Sequence, residues 1–443
     1  MKTNSSNIIG KVQTQIFIVY ILLIFEGALR KWIFPQLSSA LFFIKDPFIL
    51  YIYYLCWRYK LFPTNRVAVV SYYLSLFFLV FGFVQTLISP FPFAVVVYGW
   101  RSYFMYMPLI FIMEKYCDIQ FLKKIAAFTC YVAIPMAVLT YQQYKSPPDA
   151  FINRNVGESK TEVFTVGRGV VRTSGTFSFF TGQAFFIASV LSMLLFNYFL
   201  GKKQSFLPEI VSYVAAMAFL SNLAVSGSRS SYAACAIIVI FLIFSSLLLI
   251  NKKKSASIIS FAIVGVFLSV VMFNTVFSEQ LELITERNTN ANEGEGSPID
   301  RILGSFIFSA DEDIPYLGHG LGVGSIGGAF LITGTSSFAL AESEWARIQL
   351  ENGYFIGFLY IMFKLYLAYY ILKNALFATL ASGSPIPLIM VGFIFPTILI
   401  GQMTMNGITM GFGWIFLGYS MAVNKVFLYK EHVLESIPIV IAT

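Results

Sequence analysis

Charge is what this sequence has least of. Only 12% of its 443 residues are Asp, Glu, Lys or Arg, about half the share with which a soluble protein keeps its surface hydrated. Against that scarcity stand 57% hydrophobic residues, with 47 Phe and 25 Tyr, and a mean hydropathy of +0.74. Globular cores could not hide so much apolar surface, so the expected solvent is a bilayer. In hydrocarbon every backbone N–H and C=O must be satisfied internally, which makes the expected fold an all-α polytopic membrane protein.

Cysteine and histidine are also scarce. The four cysteines, Cys56, Cys117, Cys130 and Cys235, lie in or beside apolar segments without a CxxC pair, which excludes a disulfide framework and a thiolate metal site. There is no P-loop, no GxSxG elbow and no HExxH helix. The run Asp311-Glu312-Asp313 lacks the spaced Asp-x-Asp that holds a divalent ion for sugar nucleotides, and reads as a solvated acidic face. Neither metal nor cofactor is therefore expected. The net charge of +8 comes from small basic clusters between apolar runs, not from one stripe, so nucleic acid is not an expected partner. No period of repeats and no inverted repeat is visible, which disfavours the common transporter folds.

What the sequence does contain is about twelve apolar windows long enough to be spans. They cover roughly 14–34, 40–57, 67–88, 94–113, 121–141, 179–200, 209–225, 229–250, 257–277, 348–371, 386–403 and 408–428. The first follows Lys2 and Lys11 as a signal peptide would. Glu26, Arg30 and Lys31 nevertheless intervene before the small-residue site Ser38-Ser39-Ala40, so it reads as a retained span. With a cytoplasmic amino terminus, the inner connections hold most of the lysines, including Lys115, Lys123, Lys124, Lys202, Lys203, Lys252, Lys253 and Lys254. This positive-inside pattern puts both termini in the cytoplasm and two long loops, about 142–178 and 278–345, on the outer face of a single membrane domain spanning 1–443. The Glu279–Ser297 stretch reads as a mobile surface segment, and the glycine run 318–324 requires tight turns or a close backbone approach.

Each charge near the outer face is a candidate for chemistry. Arg168 and Arg172 sit among Gly, Thr and Ser in 167–177, and Arg229 follows Ser226-Gly227-Ser228. A planar guanidinium with small neighbours suits a phosphate. The plainer reading is snorkelling to the headgroups, which needs no such compact polar cluster around Arg172 and Arg229. A second constellation lies in 342–353, where helical spacing puts Glu344, Arg347 and Glu351 on one face, either as a surface ion-pair ladder or as an acid–base site. Glu342 escapes that ladder and is the first candidate base for deprotonating a hydroxyl, with Glu344 and His319 in reserve. His319, in its glycine-rich turn, has a structural reading as well. Arg101, within the fourth window, either lines a cavity or joins an aromatic belt with Trp100 and Tyr103. Arg301 belongs to the large outer loop.

Several of these stretches, in their order, resemble the bacterial O-antigen polymerase and O-antigen ligase superfamily. They are 25–32 (Phe-Glu-Gly-Ala-Leu-Arg-Lys-Trp), Lys45-Asp46-Pro47, Arg172-Thr173-Ser174-Gly175-Thr176-Phe177, Ser226–Ser230, Gly318-His319-Gly320-Leu321-Gly322 and Leu350–Gly357. The resemblance implies a GT-C-like glycosyltransferase of the bacterial inner membrane, acting on the outer face. Donor and acceptor would both be polyprenyl-diphosphate-linked glycans, with membrane lipids around the chain and a flippase and a chain-length regulator as partners. It implies that Arg172 and Arg229 hold the diphosphate, with Arg168, Arg101, Arg301 and Arg347 as further candidates. The ligase branch carries a His-Asn pair where this chain has Glu342 and Ser343, which favours the polymerase branch. The alternatives are a ligase moving finished glycan to a lipid or protein acceptor, and a transporter or flippase.

Overall fold

The computed structural model describes residues 2–88, 91–156, 165–167, 170–249, 251–275, 278, 282, 304, 306, 314–334, 340–341 and 343–435. Helices dominate it, as hydrocarbon solvent demands. In chain order they are α1 (Lys2–Ala28), α2 (Ser38–Leu41), α3 (Asp46–Arg58), α4 (Arg66–Ile88), α5 (Phe93–Trp100), α6 (Leu109–Tyr116), α7 (Ile119–Lys145), α8 (Phe180–Leu200), α9 (Glu209–Ala224), α10 (Arg229–Leu248) and α11 (Lys252–Thr275). They continue as α12 (Ile326–Thr333), α13 (Glu344–Ser382), α14 (Ile386–Ile400) and α15 (Gly407–Glu435). Each apolar window of the sequence falls on helix. Among the described residues, eight helical stretches are long and apolar enough to cross a membrane, and Glu209–Ala224, Ser255–Val271 and Ile386–Ile400 are shorter apolar helices. The all-α expectation needs one small amendment: Thr165–Gly167 and Val170–Val171 form a two-stranded antiparallel ribbon, with Thr165 opposite Val171.

The centre of the bundle is α15. It packs on α6, α13, α14 and α8, and Phe412, Trp414, Tyr419 and Val423 on its different faces are all buried. A helix buried all round carries no amphipathic stripe, which is why periodicity alone could not separate it from the lipid-facing helices. By contrast α4 turns Leu76, Val80 and Leu87 outward. Such exposed apolar side chains are stable against lipid tails.

Hydrogen bonds between helix ends fix which ends meet. Gln13 donates to the Tyr116 carbonyl at 2.8 Å, Tyr116 to the Leu61 carbonyl at 2.6 Å, and Lys425 to the Lys115 carbonyl at 3.0 Å. Lys60, Lys115 and Lys425 therefore lie at this end. Glu26, Lys45, Asp46, Arg101, Glu344 and Thr404 belong to the opposite half.

The longest helix is two helices. At Gly353 the backbone takes φ 74° and ψ 170°, a region essentially closed to residues with a Cβ. Residues 344–352 then lie back along residues 354–382. A Cβ on Gly357 would sit 2.8 Å from Gln349 Cα, and Lys364 donates to Glu344, 20 positions away, at 3.1 Å. A straight helix would hold those two residues about 30 Å apart. The tenth window therefore begins in a re-entrant helix folded against its own span.

Candidate functional site

Three of the sequence stretches converge on one buried charged cluster. Glu26, near the end of α1, accepts from Arg30 one turn later at 2.9 Å and is also paired with Lys45. Asp46, the first residue of α3, accepts from Arg101 Nη2 at 2.9 Å and from the Tyr106 hydroxyl at 2.9 Å. Arg30 and Arg101 share the Phe42 ring, with guanidinium carbons 5.3 and 5.1 Å from its centre. Arg30 reaches Ser178 at 3.3 Å, while Lys31 donates to Ser174 Oγ at 3.1 Å and to the Gly175 carbonyl at 2.7 Å.

The approach of the 172–178 segment to α1 depends on a missing side chain. A Cβ on Gly27 would lie 2.2 Å from Ser178 N and 2.5 Å from the Thr176 carbonyl oxygen. The Thr176 hydroxyl donates to the Ile24 carbonyl at 2.6 Å. On the other side Gln143 of α7 accepts from Gly175 N at 2.8 Å and donates to its carbonyl at 3.3 Å. With Gly175 gripped from both sides, Thr173 bonds the Val225 carbonyl at 3.1 Å. That bond sets the segment carrying Arg172 beside the Ser226–Arg229 turn, so the two arginine contexts occupy adjoining backbone.

A second cluster surrounds the folded-back helix. Glu344 is paired with Arg347 and with Lys364, and Arg347 also donates to Thr404 Oγ1 at 2.6 Å. Glu351 instead accepts from the Tyr103 hydroxyl at 2.5 Å and from Gly324 N at 2.9 Å. The glycine run wraps the hairpin tip. His319 N donates to the Leu350 carbonyl at 2.7 Å, and a Cβ on Gly318 would meet the Glu351 carbonyl oxygen at 2.4 Å. Gln85 of α4 closes the arrangement, donating to the carbonyls of Leu317 and Glu351 at 2.6 and 2.8 Å.

A single widened turn joins the clusters. Residues Arg101–Met105 form a π-helical turn between α5 and α6. Side chains two apart on a helix point to opposite sides, so Arg101 faces Asp46 while Tyr103 faces Glu351. Such turns recur at functional positions because the extra residue redirects neighbouring side chains.

The sequence-derived candidates divide accordingly. Arg172 and Arg229 are half-buried, and the Thr173–Val225 bond ties the chain beside Arg172 to the turn that precedes Arg229. Arg101 is buried against Asp46 and four aromatic rings, so it is not an interfacial belt residue. Arg347 is 0% exposed and Glu344 is almost as deep, which replaces the expected helix-surface ladder with an interior one that omits Glu351. His319 is exposed at the hairpin tip. Arg168, Arg301 and Glu342, with the acidic run 311–313 and most of 279–297, lie outside the described residues.

Sequence reasoning did not single out Glu26, Arg30, Lys31, Lys45, Asp46 and Lys364 as site residues. A charge within an apolar window was the available signal, and Glu26–Arg30 at helical spacing was a second. Among the described residues no group of His, Cys, Asp or Glu could hold a metal ion. What the first cluster offers is cationic excess: Arg30, Lys31, Lys45 and Arg101 stand against two carboxylates, Glu26 and Asp46. Lys31, 1% exposed, has two neutral oxygens and the Trp32 ring, 4.5 Å from its Nζ, as described partners and no carboxylate among them. A buried charge without a counter-charge is a place for an anionic ligand. Comparison with family models, curated proteins and solved structures returned no match.

Proposed function

We propose that the protein is a membrane glycosyltransferase that polymerises polyprenyl-diphosphate-linked repeat units into a surface polysaccharide on the outer face of the bacterial cytoplasmic membrane. The observation that carries this reading is the cationic excess around Lys31, next to the segment that carries Arg172 and is tied through Thr173 to the turn before Arg229. A diphosphate leaving group gains negative charge as its glycosidic bond breaks, and preorganised cations in a water-poor site stabilise that charge without a metal. A carboxylate or imidazole across the sugar takes the acceptor hydroxyl's proton, so the transfer is a single in-line displacement with inversion. Glu344 is held between Arg347 and Lys364. The role falls first to Glu342, with Glu344 and His319 in reserve.

A second reading, an ion-coupled transporter or flippase, has one observation in its favour. Glu344, Arg347 and Lys364 form a charged triad inside the bundle, and such groups also relay ions. Reconstituted protein supplied with a lipid-diphosphate repeat unit, with no ion gradient, separates the two. A polymerase yields a long-chain ladder that Arg172→Ala or Arg229→Ala abolishes. A ladder unaffected by both substitutions, or movement of glycan only under a gradient, would sink the polymerase reading. A cell lacking the protein should retain single-repeat glycan; long chains accumulating on the carrier lipid would instead identify a ligase.

A further inference from the structure

At the opposite end from both charged clusters, a cavity of about 350 Å³ opens between the start of α4, the end of α6, α13 and α15. Its size is at the low end for small-molecule sites. Phe111 and Leu428 supply apolar wall; Glu114, Lys115, Asn424 and Lys425 supply the polar wall. Two features of that polar wall are incomplete. Asn424 is 1% exposed and gives its amide N–H to the Ile371 carbonyl at 3.4 Å, yet its Oδ1 has no hydrogen-bond partner among the described residues. Glu114 is half-buried, and no hydrogen bond or ion pair within the described residues holds its carboxylate. Lys425 lines the same cavity but donates to the Lys115 carbonyl at 3.0 Å instead of pairing with Glu114.

An acceptor without a donor and a carboxylate near, but not bonded to, the Lys425 ammonium thus share one cavity. We infer that this cavity is a binding site for the headgroup of an ethanolamine phospholipid. The lipid's primary ammonium would donate to Glu114 and Asn424 Oδ1, and its phosphate would accept from Lys425 and Lys115. A zwitterion satisfies both halves of the site at once, which a simple anion or cation cannot do. A choline headgroup has no N–H to give, and a glycerol headgroup has no cation, so the site distinguishes ethanolamine from both. The acyl chains would leave toward α13, where Tyr366 and Tyr369 are exposed. The end that bears the site also bears Lys60, Lys115 and Lys425, which assigns it to the cytoplasmic leaflet.

Native mass spectrometry of the full-length protein, released from vesicles of equal phosphatidylethanolamine, phosphatidylcholine and phosphatidylglycerol, tests this. The expected result is preferential retention of phosphatidylethanolamine. Glu114→Gln should weaken that preference about tenfold, and because Glu114 supports no described hydrogen bond, the variant should unfold at the wild-type temperature. Lys425→Met should weaken retention of all three phospholipids. Equal retention of the three lipids by the wild type would overturn the site, as would a Glu114→Gln preference equal to wild type. Soluble phosphoethanolamine binding as tightly as the lipid would overturn its assignment to a lipid. None of these outcomes depends on the polymerase reading.

Discussion

Lys31 and Glu26 lie within one turn of α1's end and make opposite predictions. Lys31 is a buried ammonium whose described partners are Ser174 Oγ, the Gly175 carbonyl and the Trp32 ring, with no carboxylate among them. Replacing it by Met removes an uncompensated charge and keeps the apolar stem, so the fold should melt at or above the wild-type temperature. The same change removes a cation from the proposed diphosphate site, and chain extension should fall by tenfold or more, since one charge-assisted bond contributes roughly 1.5–3 kcal/mol. Stability and activity moving together would show Lys31 to be purely structural. Glu26→Gln works the other way. It leaves Lys45 and Arg30 without their carboxylate, which should destabilise the protein by about 3–5 kcal/mol. Pairing it with Lys45→Met should restore much of that loss in a thermal melt. Additive losses in the double variant would mean the two residues do not act on each other.

Between helices, the decisive device is the reversal at Gly353. An added methyl group there meets both a forbidden φ of 74° and the Tyr316 carbonyl oxygen at 2.2 Å. Gly353→Ala should therefore cost at least about 1–3 kcal/mol from backbone strain alone, and should separate residues 344–352 from the span they lie against. Amide hydrogen exchange monitors this directly, because residues 344–352 are buried against that span. Their amides should be protected in the native chain and exchange quickly once Gly353 is replaced; unchanged protection would mean the reversal does not hold them there. This reversal also marks the limit of what the sequence disclosed. The apolar windows were legible because a long apolar run in hydrocarbon has no alternative to helix. Glu344, Arg347 and Glu351 were legible as one face because helical spacing is local. Lys364 stands 20 positions from Glu344, and nothing in a 3.6-residue period says that the chain turns back between them. Lys45, 19 positions from Glu26, was hidden for the same reason, whereas Arg30, one turn away, was not.

For the whole molecule, the separation of its charges by end gives an orientation that can be measured. Lys115 and Lys425 occupy the end where α1 begins and α6 finishes, and the buried clusters occupy the half that contains the 172–178 segment and the folded-back helix. In the orientation we propose from the positive-inside rule, the clusters face outward, where lipid-linked glycan is assembled in the proposed reaction. The native cysteines do not obscure a labelling experiment: all four are buried, and burial pushes the Cys117 thiol up, away from the reactive thiolate. A membrane-impermeant maleimide should modify Phe151→Cys in intact cells, since that side chain is 67% exposed between α7 and α8. Lys203→Cys, exposed between α8 and α9, should react only after the membrane is permeabilised. The reverse pattern would turn Lys31, Arg172 and Arg229 toward the cytoplasm, where a polymerase of translocated repeat units has no substrate. The same reversal would move the Glu114 cavity to the outer leaflet without altering the chemistry of its walls, so this one measurement bears on the glycan site and leaves the lipid site's selectivity to its own test.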